Sequence, residues 1–236
     1  MAVGASTLFS IDHYDFEYHR LLRRRKGFIV IDMEKTETPV RRRRAGRPLS
    51  FDRDAALRQA MLVFWRHGYE ATSLNDLTAA MGVTPPSIYA AFRSKKSLFL
   101  EAVRLYVGEP AHSARIIADA PTARDAVRGL LEASVVGFTG EDTPPGCLLA
   151  SAAISCSAEA ADVQAELAAI RIGIETQLRE RLALGVSDGE LDAATDVEAI
   201  AAHVMAVLQG LSTLARDGAK RAKLDGVVRV EMRGLE

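Results

Sequence analysis

TSLNDLTAAMGVTPPSIYAAFRSKKSLF, residues 72–99, is two short helices joined by a tight turn. Ser73 caps the first helix, and Asp76 three residues on completes a capping box. Leu74, Leu77 and Met81 recur at spacings of three and four, which puts them on one apolar face. Gly82 tolerates the left-handed conformation needed where that helix stops. Thr84 is placed to cap a second helix, and Pro85 suits its first turn, where no backbone donor is required. Over residues 86–92 the second helix turns Ile88 and Phe92 inward and leaves Ser87, Tyr89 and Arg93 on other faces. Ser94 caps a further helix with Lys95 and Lys96 in its first turn. Helix, glycine-containing turn, helix is the helix-turn-helix pattern, whose second helix enters the major groove of DNA.

These residues carry a resemblance. The run Thr-Ser, a short helix ending Ala-x-Met-Gly-Val, then Thr-x-x-x-Ile-Tyr-x-x-Phe-x-Ser-Lys-x-x-Leu is similar to the DNA-binding signature of the TetR/AcrR family of bacterial transcriptional regulators. The likeness spans roughly residues 50–106. Two positions depart from the pattern. Ala91 stands where an aromatic residue or His often follows the Tyr, which removes one DNA contact. Lys96 replaces a usual acidic residue and adds positive charge near the phosphates. The resemblance implies a homodimer on a near-palindromic operator, released by a small-molecule effector. It also implies that Thr72 bonds a phosphate at the start of the second helix, a role compatible with helix capping.

Length and charge agree with such a division of labour. The chain has 236 residues, room for two compact domains or one large one. Residues 41–107 carry 12 Lys/Arg against 5 Asp/Glu, a surplus of seven positive charges. Residues 108–236 carry 12 Lys/Arg against 20 Asp/Glu, a surplus of eight negative charges. A basic first part and an acidic second part suit a nucleic-acid module fused to something else. No run of 18 apolar residues and no signal-peptide order of charges are present, so no membrane partner is expected. The two cysteines suit a reducing cytoplasm, the expected location.

Residues 1–47 read as an extension and an Arg-rich arm, disordered without a partner. Met33 is a candidate natural start; an ordered arm docking on DNA or on the partner subunit is the alternative. Arg41, Arg42, Arg43, Arg44 and Arg47 suit an arm along the phosphates or in an adjacent minor groove, against the plainer reading of a solvated charge run. Deleting residues 41–47 should weaken binding to every duplex alike and flatten its salt dependence. An unchanged slope in a salt titration by filter binding would count against the arm.

The organisation expected is a helix-turn-helix domain over residues 48–94, a linking helix over 95–108 and an α-helical effector-binding and dimerisation domain over 109–236. A first helix over 53–67, capped by Asp52, carries Leu57, Ala60, Met61, Phe64 and Trp65 as its core stripe, with Trp65 read as core and not as a ligand site. Beyond a break at Gly108-Glu109-Pro110, helices are expected over 122–138, 147–157, 160–184, 195–216 and 219–232. Thr195 and Glu198 form the capping box of the fourth of these. No strand alternation is seen, so the fold class is all-α. The last two long helices are rich in Ala and aliphatics; in the resembling family the corresponding pair forms the dimer, and the rival reading is that their stripes only fill the subunit's own core.

Candidate DNA contacts are Thr72, Thr84, Pro86, Ser87, Tyr89 and Lys95, together with the arm. An effector pocket would be lined by Phe138, Leu148, Ile154, Ile170, Ile174 and Met205. Only Phe138 is aromatic after Tyr106, which argues against an aromatic cage. Cys147 follows Pro144-Pro145-Gly146 and begins a helix, whose positive end would lower its pKa and make it a redox or electrophile sensor. The plain reading is a small buried hydrophobe. No cofactor, metal site or catalytic activity is expected: no Walker loop, HExxH, CxxC or GxSxG is present, and His112 and His203 are isolated. A helical interaction module without DNA activity is the rival class, and the Arg arm and the basic first part speak against it.

Overall fold

The computed structural model describes residues 51–108, 111–154 and 156–234, all within the second of two units into which the chain divides, residues 47–236. Every regular element among the described residues is helical. The arginines at 41–44 and 47 lie outside them.

Helix α1 (Arg53–His67) starts where the Asp52 carboxylate accepts from the amides of Asp54 and Ala55, at 2.9 and 3.0 Å. Helix α2 (Leu74–Met81) has the expected capping box between Ser73 and Asp76 and ends at Gly82, with φ 66°. Helix α3 (Pro85–Phe92) begins one residue earlier than expected. Thr84 sits at its N-cap position but makes no cap bond; its hydroxyl pairs with that of Ser87 at 2.9 Å. Arg93 ends α3 with φ 69°, an unusual conformation for a side-chain-bearing residue. Ser94 then caps α4 (Lys95–Val107) by accepting from the Ser97 amide.

A missed helix follows the break: α5 (His112–Asp119). Helix α6 (Ala123–Phe138) is capped by Thr122. The helix expected over 147–157 is a single turn, α7 (Leu148–Ser151). A 3-10 turn (Ala158–Ala160) leads into α8 (Ala161–Ser187). Helix α9 (Val197–Arg216) is capped by Asp196, which accepts from the Ala199 amide, and not by Thr195. Helix α10 (Arg221–Arg233) closes the chain. Asp196 displaces Thr195 because its carboxylate reaches the same orphan donors from one residue nearer the helix.

Two apolar cores result. The first joins α1–α4 to α7 and the start of α8, around Phe64, Phe92 and Phe99. Phe64 and Phe99 meet edge to face at 5.0 Å, with Tyr69 5.0 Å from Phe99. Arg53 staples the outside of this core: it pairs with Glu101 at 2.6 Å and lies 4.3 Å above the Phe92 ring. The second core joins α5, α6, α9, α10 and the end of α8.

The seam between the cores is hydrogen-bonded. The Trp65 indole donates to the Gly146 carbonyl at 3.1 Å; inside the first core, the Tyr69 amide donates to the Ala152 carbonyl at 2.7 Å. Arg216 donates to the carbonyls of Trp65 and Arg66, at 3.3 and 3.4 Å. Those carbonyls are at the negative end of α1, a favourable place for a cation. Gly146 has φ 81°, and a Cβ there would stand 2.6 Å from Arg216 Cγ and 2.8 Å from the Ser212 carbonyl. Only glycine fits this close approach.

Candidate nucleic-acid interface and internal cavity

Helix α3 is held from below and free above. Ile88 and Phe92 are buried in the first core, while Thr84, Pro85, Pro86, Tyr89, Ala90 and Arg93 are exposed and Ser87 is half-buried. Tyr89 stands out, 49% exposed although large and aromatic. The helix thus presents hydroxyls, a stiff ring and two prolines on an exposed ridge; its N-terminus offers no free amide, since Pro85 and Pro86 have none and those of Ser87 and Ile88 donate to the Thr84 carbonyl.

Two candidate residues occupy other roles. Thr72 is 1% exposed, and its hydroxyl donates to the Gly68 carbonyl at 2.6 Å. It closes the corner between α1 and α2, so its side chain is not part of the exposed ridge. The Lys95 ammonium lies 4.6 Å above the Tyr69 ring and 3.4 Å from the Glu70 carbonyl, and burial lowers its pKa. The positive charge expected from Lys96 is engaged by Asp162 on α8. Both lysines tie the start of α4 to its surroundings, Lys95 to the corner between α1 and α2 and Lys96 to the start of α8. Arg93, which the sequence reading left aside, is exposed at the end of α3; its position just past the last buried residue of that helix was the available signal.

A cavity of about 280 Å³ straddles the seam between the two cores. Phe138, Cys147, Ile174 and Met205 line it, as expected. Leu148, Ile154 and Ile170 do not. Leu148 is fully buried in the first core, and Ile170 packs against that same core. Ile154 is 60% exposed: α7 ends at Ser151, Ala152 and Ala153 beyond it are buried in the first core, and Ile154 is left at the surface. Trp65 and Tyr106 contribute instead, ring centroids 4.8 Å apart. The cavity therefore has three aromatic walls, not one. Two of them come from helices before residue 108, α1 and α4.

The Cys147 environment is opposite to the one expected. Its Sγ accepts from the Tyr106 hydroxyl at 3.3 Å, and its amide donates to Ser212 Oγ at 2.8 Å. Burial pushes the thiol pKa up, outweighing the Tyr106 bond and the amides of the short α7. Burial likewise pushes the Tyr106 phenol well up, so it stays a neutral donor. A raised pKa means less thiolate at neutral pH and a slower nucleophile. Iodoacetamide should alkylate Cys147 in the folded protein far more slowly than in the urea-unfolded chain, with the folded rate still climbing above the ordinary thiol range. Peptide mass spectrometry of timed samples would read this, and equal folded and unfolded rates would contradict it. Among the described residues, no group of three His, Cys, Asp or Glu side chains could hold a metal ion.

A trihelical head with an exposed third helix, set on an α-helical bundle, defines a helix-turn-helix protein. Residues 56–102 match the family model for bacterial regulatory proteins of the tetR family, and residues 123–230 match a tetracyclin repressor-like C-terminal domain. The HTH-type transcriptional repressor ComR of Escherichia coli (strain K12) is 35% identical over 194 residues, 81% of this chain and 92% of its own length. A cysteine-substituted TetR family transcriptional regulator CifR, solved in complex with 26-bp double-strand operator DNA, is 43% identical with a TM-score of 0.77, covering 81% of this chain and all of that one. The regulator PfmR of Thermus thermophilus is 26% identical at a TM-score of 0.60, covering 79% of this chain and 98% of its own. The chain belongs to the TetR family of transcriptional regulators.

Proposed function

We propose that the protein is a cytoplasmic repressor that grips a near-palindromic operator as a homodimer and lets go when a small molecule fills the cavity. The observation that carries the reading is the α3 ridge: Thr84, Pro86, Ser87 and Tyr89 sit together above the buried anchors Ile88 and Phe92. The similarity to an operator-bound CifR and to the repressor ComR supports it.

The proposed dimer uses α9 and its neighbours. By length and composition α9 is apolar enough to cross a membrane, yet only a third of its apolar window is buried. Val204, Leu211 and Ala215 enter the second core, whereas Ala199, Ala202, Ala206 and Gly210 lie on the exposed side. Exposed apolar surface of this kind marks an interface, and a two-fold axis along it makes a four-helix contact between copies. The same axis sets the two α3 helices about one DNA turn apart, roughly 34–36 Å.

Release follows from where the cavity lies. Trp65 on α1 and Tyr106 on α4 form part of its wall. A ligand pressing on them moves the head relative to the bundle and changes the α3 spacing. Only the conformer with the right spacing holds both half-sites, so the ligand shifts a population. Selection of bound duplexes from a random pool tests the reading. A palindromic motif enriched by the wild type and lost by Tyr89→Ala is the expected result. No enrichment, even after refolding from denaturant to strip a co-purified ligand, would defeat it.

A further inference from the structure

We infer that the cavity takes a small carboxylate with an apolar body, the carboxylate resting on Arg171 and the body among Trp65, Tyr106, Phe138 and Met205. This rests on the proposed ligand-responsive role and names the class of ligand. The volume of about 280 Å³ is at the low end for a ligand site, which limits the occupant to a small molecule. The walls are predominantly aliphatic and aromatic, so most of that molecule is apolar.

Charge decides the rest. The lining holds the Arg171 guanidinium and, nearer solvent, His112; no Asp or Glu is among its described residues. Some arginines pair with carboxylates, as Arg53 does with Glu101 and Arg181 with Glu190, and others, like Arg216, bond only carbonyls and a hydroxyl. Arg171 has no carboxylate partner among the described residues. Its one hydrogen bond there runs from Nη1 to the Leu149 carbonyl at 2.6 Å. A guanidinium has five N–H donors in a planar fork that suits a carboxylate's two oxygens. With the wall otherwise apolar and no acid in the lining, a counter-charge for the guanidinium is best supplied by the ligand. Ser134 and Gln209 lie in the same lining and offer further polar contacts. A cationic ligand would face the guanidinium with no acid to offset it, and a bare inorganic anion would leave the apolar walls uncovered.

Trp65 is the sole tryptophan and lines the cavity, so its fluorescence reads occupancy. The probes are phenylacetate and octanoate, each against its uncharged amide, titrated into full-length protein and repeated by calorimetry. The carboxylates should change Trp65 emission and bind on the order of 10- to 100-fold more tightly than the amides, the usual worth of a hydrogen bond to a charged group. Arg171→Gln should erase that preference, and Arg171→Lys should keep part of it. Equal affinity for acid and amide in the wild type, failure of both carboxylates to bind, or a preference surviving in Arg171→Gln would overturn the inference. If Arg171→Gln does not fold, the wild-type comparison of acid with amide decides alone. Because these readouts use no DNA, they fail or succeed separately from duplex selection, which tests the regulator itself.

Discussion

Tyr89→Ala should reduce operator affinity by roughly 100-fold while leaving the melting temperature and oligomeric state unchanged. Tyr89 is half exposed on α3 and its side chain makes no hydrogen bond among the described residues, so the fold does not depend on it. Losing a solvent-exposed hydroxyl contact to a charged phosphate costs about 1.5 kcal/mol, the low end for a hydrogen bond to a charged group. A two-fold complex loses it at both half-sites, about 3 kcal/mol, which is the stated factor. Tyr89→Phe separates hydroxyl from ring: if the bond to phosphate is the source, Phe should be nearly as weak as Ala. Fluorescence anisotropy with the selected duplex gives both numbers. An affinity within about threefold of the wild type for Ala would remove Tyr89 from the interface.

Phe64→Ala should be the most damaging change to the fold. Phe64 is fully buried, and its ring meets Phe99 at 5.0 Å and Tyr69 at 6.4 Å. Truncating a buried Phe costs about 3–5 kcal/mol. At ~2–4 °C per kcal/mol for a unit of this size, the midpoint should fall by roughly 10 °C. Because α1, α4 and Tyr69 all lean on this ring, the head should loosen first, and operator binding should weaken with it. Calorimetry measures the midpoint, and a drop under about 3 °C would mean that the first core is far more plastic than its packing suggests.

The head was readable because its signals are local. Ser73 with Asp76, Gly82 after Met81, and Ser94 before Ser97 each act over three or four residues, and the chain shows them in order. Apolar spacing in α1 likewise named Phe64 and Trp65 as core. The differences share one cause. Thr72 and Lys95 have chemistry that suits phosphate, and tertiary contacts give the Thr72 hydroxyl to the Gly68 carbonyl and set the Lys95 ammonium over the Tyr69 ring. Cys147 does begin a helix, but that helix is one turn long and packs against α1, α4 and α8, so burial outweighs its amides. Residues 147–157 hold enough Ala and Leu for a longer helix, yet packing against the head ends it at Ser151.

By itself the sequence determined the all-α class, the helix-turn-helix and which side chains of α3 face outward, because caps, turns and apolar periodicity are interactions between residues a few positions apart. Only the tertiary structure decided the cavity. Trp65, Tyr106, Phe138, Cys147, Arg171 and Met205 come from six different helices or their caps. Nothing in the spacing of residues so far apart records that they meet. Their meeting depends on how α1 and α4 dock on the bundle, and that docking is set by the summed packing of two cores, not by any one stretch of chain.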